Sequence, residues 1–182
     1  MPIIVSDSGK EFERATPGLH QAVCSNVYGP FEETYEWKGK VISARKVVIM
    51  FEIDERIKEG EFANQRFTIS GRFTASLHEK GKLRPFLESW KGKAFTNESL
   101  ISFDLEKLIG VNCQLNLLER DKKDGGKTVV IGGIVPRAET QEKMTPELPR
   151  DYAPKWIKDI LTAQQAPAEH SSPESFEDDI PF

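Results

Sequence analysis

The chain has 182 residues, enough for one ordinary domain with appendages and hardly for two. Its formal charge is -4 and its pI about 5.5, and no apolar run approaches the roughly 18 residues of a membrane helix, so composition excludes a helical span and gives no hint of a nucleic-acid binder. The charge is unevenly placed: positions 1–142 carry 21 Lys+Arg against 21 Asp+Glu, while positions 143–182 carry 4 against 8.

In chain order, residues 1–16 form a mixed-polarity leader, too polar and acidic at 1–14 for a secretory signal, and the expected location is the cytoplasm. Pro17-Gly18 opens the structured part, and a first strand is predicted over 19–28, broken by Gly29-Pro30. Residues 31–43 hold Tyr35, Trp37, Lys38, Gly39 and Lys40 with little apolar periodicity, which predicts a long loop carrying exposed aromatics. The second strand, 45–54, alternates strictly, with Val47, Ile49, Phe51 and Ile53 on a core face and Lys46, Val48, Met50 and Glu52 on the other. Residues 62–77 alternate again, with Phe67, Ile69, Gly71 and Phe73 opposed to Arg66, Thr68, Ser70, Arg72 and Thr74.

Residues 82–90 switch to helical spacing, and Pro85 is tolerable there because it falls in the first turn. Asp104 can cap a short helix over 105–109 that Gly110 ends. Two further strands are predicted at 111–120 and 127–135, joined by a Lys/Gly hairpin turn at 121–126. This order predicts a mainly β fold: a five-stranded OB barrel over 17–136 with a helical insert between strands three and four. Cys24 and Cys113 belong to no Cys/His cluster and read as buried free thiols. Residues 137–175 read as a polar, Pro-broken linker with a short helix at 154–162, and from 163 onward the composition predicts a disordered acidic tail.

The chain closes on Phe176, Glu177, Asp178, Asp179, Ile180, Pro181 and Phe182. A terminal ring suits a small apolar pocket, its carboxylate a basic residue, and the three acids a cationic rim, with Pro181 reducing the entropy lost on docking. These residues resemble the C-terminal tip of bacterial single-stranded-DNA-binding proteins, with Glu177 where an aspartate is usual. Leu83-Arg84, residues 87–93, Phe95-Thr96 and residues 103–110 are similar to the helical insert of phage-encoded single-stranded-DNA-binding proteins with an OB fold. That insert is longer than in the bacterial host proteins, so their tetrameric assembly is not carried over. The resemblance implies a bacterial host cytoplasm, single-stranded DNA as ligand, and replication, recombination or repair proteins as partners of the tip.

OB folds bind strands on their second and third strands and on the loops joining strands one to two and four to five. Those locations hold Lys46 and Met50; Arg66 and Arg72; Tyr35, Trp37, Lys38 and Lys40; and Lys122, Lys123 and Lys127. Phe67, Phe73 and Trp90 read as core. His20, His78 and His170 lack metal-site spacing, the acids Asp54, Glu55, Glu59 and Glu61 read as a solvated turn, and no nucleophile, base and oxyanion set assembles, so neither catalysis nor a cofactor is expected. A strand-annealing or recombination mediator, and a decoy that occupies host enzymes through the tip without binding DNA, remain as alternatives. Oligomeric state is left open.

Overall fold

The computed structural model describes residues 12–165. The chain divides into two compact units, Met1–Tyr152 and Ala153–Phe182. In the first, five strands form one sheet: β1 (Gly18–Trp37), β2 (Lys40–Arg56), β3 (Arg66–Thr74), β4 (Asn112–Asp121) and β5 (Lys127–Pro136), in the order β3-β2-β1-β4-β5 with every neighbour antiparallel. Between β3 and β4 lie α1 (Leu83–Lys91), α2 (Asn97–Ile101) and a 3-10 turn at Leu105–Leu108. The second unit contains α3 (Lys155–Gln165), overlapping the helix predicted at 154–162.

The alternating strands bury one face as predicted. Val47, Ile49, Phe51 and Ile53 join Ala22, Cys24, Phe67, Cys113, Leu115, Leu117 and Ile134 in the core. The apolar stripe of α1 closes over them, with Leu83, Leu87 and Trp90 buried. Each such side chain contributes about 1.5–3 kcal/mol when withdrawn from water. Trp90 stacks at a tilt 5.2 Å from Phe51 and its Nε1 donates to the Asn112 carbonyl, so the indole is both packed and satisfied. Burial pushes the Cys24 thiol up to about 12 and raises that of Cys113, which leaves both as poor nucleophiles at neutral pH. Asp104 caps the 3-10 turn through the Glu106 N–H, and α2, which the sequence reading missed, is capped by Thr96 accepting from the Ser99 N–H.

Two findings depart from the sequence reading. The predicted loop at 31–43 is instead a β-hairpin arm, because β1 and β2 continue past Tyr28 and pair down to Trp37 opposite Lys40. A two-residue turn at Lys38-Gly39 closes it, with φ of 51° and 75°, the pair of positive angles that matches strand twist. The arm leaves the core at Gly29, where the ladder shifts register; φ is +110° and a Cβ would fall 2.7 Å from the Lys46 carbonyl, so only glycine fits.

The second finding concerns β2, which is buried on both faces. Val48, Met50 and Glu52 are as inaccessible as the core residues, alongside Tyr28, Asn26 and Val23 of β1. Their cover is the stretch read as linker: over 141–152 the chain lies across this face as a strap, hydrogen-bonded along its course. Gln114 Nε2 donates to Gln141 Oε1, Gln21 donates to the Glu142 carbonyl, and Asn112 exchanges two hydrogen bonds with Met144. Farther along, Asn26 Nδ2 donates to the Pro149 and Arg150 carbonyls and Tyr28 Oη to the Tyr152 carbonyl at 2.7 Å. Burial there pushes the Tyr28 phenol up to about 12. The edge strands β3 and β5 lie beside one another, a Cβ on Gly71 being 3.6 Å from Ile131 Cδ1.

Candidate nucleic-acid interface

The arm has two chemically different faces because its side chains alternate. Phe31, Glu33, Tyr35 and Trp37 of β1 share a face with Lys46, Ala44, Ile42 and Lys40 of β2, their register partners. Glu32, Thr34 and Glu36, with Val41, Ser43 and Arg45, occupy the other. On the first face Tyr35 is 45% exposed and Trp37 56%, and two residues of strand separate them by about 6.6 Å. Two rings thus stand in line at the tip. Lys38 Nζ sits 4.5 Å from the Trp37 ring centroid, a cation already resting where a flat π-system can lie.

At the root of the arm, Phe31 is buried beneath Arg72, whose guanidinium carbon is 5.3 Å from the ring centroid. Arg72 also pairs with Glu33 at 3.1 Å, and Lys46 Nζ donates to Thr74 Oγ1 at 3.0 Å. Tyr35, Trp37, Lys38, Lys40, Lys46 and Arg72 are therefore brought onto one continuous face. From Arg72 the row Ser70, Thr68 and Arg66 continues along β3, its two hydroxyls exposed. This row borders the strap.

Arg66 is held differently. Its Nη1 donates to the Thr145 carbonyl at 2.8 Å and lies 3.4 Å from the buried Glu52, while Nε contacts Glu147 at 3.2 Å. Glu52, 1% exposed, accepts the backbone N–H groups of Glu147 and Leu148 at 2.9–3.0 Å. The Arg66–Glu52 pair fastens the strap to the sheet. Met50 lies under that strap and not on the open face.

Lys122 and Lys123 sit exposed in the β4–β5 turn, whose glycines close it through Gly125 N–H to Lys122 and Gly126 N–H to Asp124. Lys127 contacts Glu119 at 2.6 Å; that hydrogen bond raises the Lys127 pKa and lowers that of Glu119. Gly18 of β1 pairs with Leu117 of β4, whereas the arm forms the last residues of β1, so the two hairpins leave β1 at opposite ends. The three lysines are not gathered with the aromatic face by any hydrogen bond or ion pair among the described residues. Residues 176–182 lie outside the described residues.

Two of the acidic residues at 54–61, Asp54 and Glu55, hold residues 16–20 where the leader enters β1. Glu55 accepts from the Thr16 N–H and hydroxyl, Asp54 faces His20 at 3.1 Å, and Glu13 accepts the Lys58 and Glu59 N–H groups. Among the described residues no three His, Cys, Asp or Glu side chains gather as an ion site.

The signal for this face was the pairing of exposed aromatics with lysines. The signal for the strap was fainter, lying in Val48 and Met50, two apolar residues on the nominally open side of β2. No family model matches the chain, and comparison with curated proteins finds no match either.

Proposed function

We propose that the protein is a non-enzymatic single-stranded-DNA-binding protein built on an OB-type barrel. In this reading it coats exposed strands during phage replication, recombination and repair in a bacterial cytoplasm, and recruits partner proteins through residues 176–182. The barrel reading is supported by the strand order, by the helix between β3 and β4, and by β3 and β5 lying side by side. The observation that carries the ligand is the arm: two exposed rings in line at its tip with Lys38 and Lys40 beside them, and Lys46 and Arg72 on the same face at its root. Stacking is indifferent to base identity because every base has a π-face, and cations at the rim meet phosphates. The Arg72–Glu33 pair is exposed and weak, so a phosphate can displace the carboxylate.

Titration with oligo(dT), followed by tryptophan fluorescence, is expected to quench Trp37 on stacking. With four cations on the face, log affinity is expected to fall with log salt at a slope of about 3, from ~0.7 per phosphate contact on single strands. A salt-insensitive signal without quenching counts against the reading. Absent DNA binding with partner binding retained would instead indicate a decoy, and accelerated pairing of complementary strands an annealing mediator.

Removing residues 176–182 is expected to leave oligo(dT) affinity equal or tighter, since the acidic tip repels phosphate, and to abolish binding to repair or replication partners. Pull-down and titration on the same truncated chain check both halves; a large loss of DNA affinity would contradict the separation of the two functions.

A further inference from the structure

At the far end of the β3 row, two arginines converge on one carboxylate. Arg56 and Arg66 face each other across the β2–β3 ladder. Arg56 meets Glu147 through Nη2 at 2.6 Å and Nη1 at 3.1 Å, and Arg66 reaches the same Oε1 through Nε at 3.2 Å. Two guanidinium groups around a pair of anionic oxygens is the arrangement a phosphodiester takes. The carboxylate that fills it belongs to the strap and is 44% exposed, as Arg56 is 41% exposed.

The strap does not depend on that side chain. Its main chain is fastened by Glu52, which takes the Glu147 and Leu148 N–H groups, and by Arg66 donating to the Thr145 carbonyl. Arg56 keeps a further bond to the Asn64 carbonyl at 2.7 Å. The Glu147 carboxylate can therefore rotate away while the backbone stays in place. Ion pairs this accessible contribute little, so exchange for another anion of similar shape is nearly balanced.

We infer that Arg56 and Arg66 form a phosphate subsite at the end of the strand track, filled in the free protein by the Glu147 carboxylate and taken over by a backbone phosphate of a bound strand. The inference rests on the strand-binding reading above and adds the far boundary of the site. From Trp37 to Phe31, and then from Thr74 to Arg66, the face runs about 45 Å at strand rise. OB domains cover about 4 to 16 nucleotides. A strand of about 4 nucleotides is too short to reach from the arm to the fork, whereas one of about 16 spans the whole face and must compete with Glu147.

The test uses the full chain and oligo(dT) of about 4 and about 16 nucleotides, the ends of that range. Glu147→Gln keeps the shape and removes the charge. It is expected to bind the long oligonucleotide about 2- to 5-fold tighter, the fold-change of removing one competing exposed ion pair, and to leave the short one unchanged. Arg56→Gln alone is expected to weaken the long oligonucleotide and not the short one, and to reduce the salt slope by ~0.7. If both variants match the unmodified chain on the long oligonucleotide while their melting points stay put, Glu147 is a tether only and the subsite is overturned. If the unmodified chain binds neither length, the strand-binding reading itself has failed, and the subsite with it.

Discussion

Replacing Tyr35 and Trp37 together with alanine is expected to reduce oligo(dT) affinity by roughly 30-fold to more than 10,000-fold, the equivalent of losing about 1–3 kcal/mol of stacking at each ring. The fold should hardly notice. Both side chains are exposed large hydrophobics, and substitution at such positions stays within about 0.5 kcal/mol of neutral. Each single variant should take part of the effect, with Trp37→Ala the larger because its indole is the bigger and more exposed ring. Removing Trp37 also strands Lys38, which then has no ring to rest on and keeps only its phosphate role. Anisotropy titration and a melting curve on the same sample separate binding from stability. An affinity change below about twofold with an intact melt would mean that the arm is not where bases stack.

The largest stability effect is expected at Glu52. Replacing it with alanine removes the acceptor for two strap N–H groups and the buried partner of Arg66. Orphaned buried donors cost about 1–3 kcal/mol each and a broken buried pair about 3–5 kcal/mol in total, so a loss near 4 kcal/mol is expected. For a chain of this size that lowers the melting temperature by about 8–16 °C. The strap should then become the first point of proteolytic attack, since what remains to hold it is mostly scattered single hydrogen bonds from side chains to its backbone carbonyls. Glu52→Gln, which retains an acceptor oxygen, should cost less. A melt within about 1 kcal/mol of the unmodified chain, or cleavage elsewhere, would show that the strap is held by something other than this carboxylate.

Much of the sheet was legible because its signals are local. The strict alternation of β2 and β3, the apolar stripe of α1 and the Asp104 cap each depend on residues a few positions apart. The arm carries a loop-like sequence because, beyond the core, a two-stranded ribbon has no buried face to impose apolar alternation. Its one local clue was Lys38-Gly39, a turn pair less telling than Asn-Gly. The residue types of the interface were visible in the sequence, and their assembly was not: it takes the register of Phe31 on Lys46 and of Val48 on Arg72 to lay them side by side.

The strap was the harder case. Apart from the Gln141 and Glu147 side chains, its hydrogen bonds are made by backbone carbonyls and N–H groups, which every residue possesses, so little in residues 141–152 names their partners. The partner side did carry a trace. A glutamate and two apolar residues on the outward side of β2 are difficult to leave in water together, and a strand apolar on both faces implies a second cover. Arg66 shows the same limit. As a cation on a polar strand face it reads as free to meet phosphate, yet Glu52 and, from 79 residues away and beyond, Thr145 and Glu147 occupy it.

Glu52 also fixes the order in which the molecule can be completed. A polypeptide emerging from the ribosome has all five strands once Pro136 is made, but at that moment the central strand still presents Val48, Met50 and a carboxylate that has Arg66 beside it and lacks its two strap N–H donors. Only when residues 147 and 148 arrive does that side become fit for burial. The smallest autonomous fragment therefore ends after Tyr152, and a truncation drawn at the last strand would leave a sticky half-finished sheet.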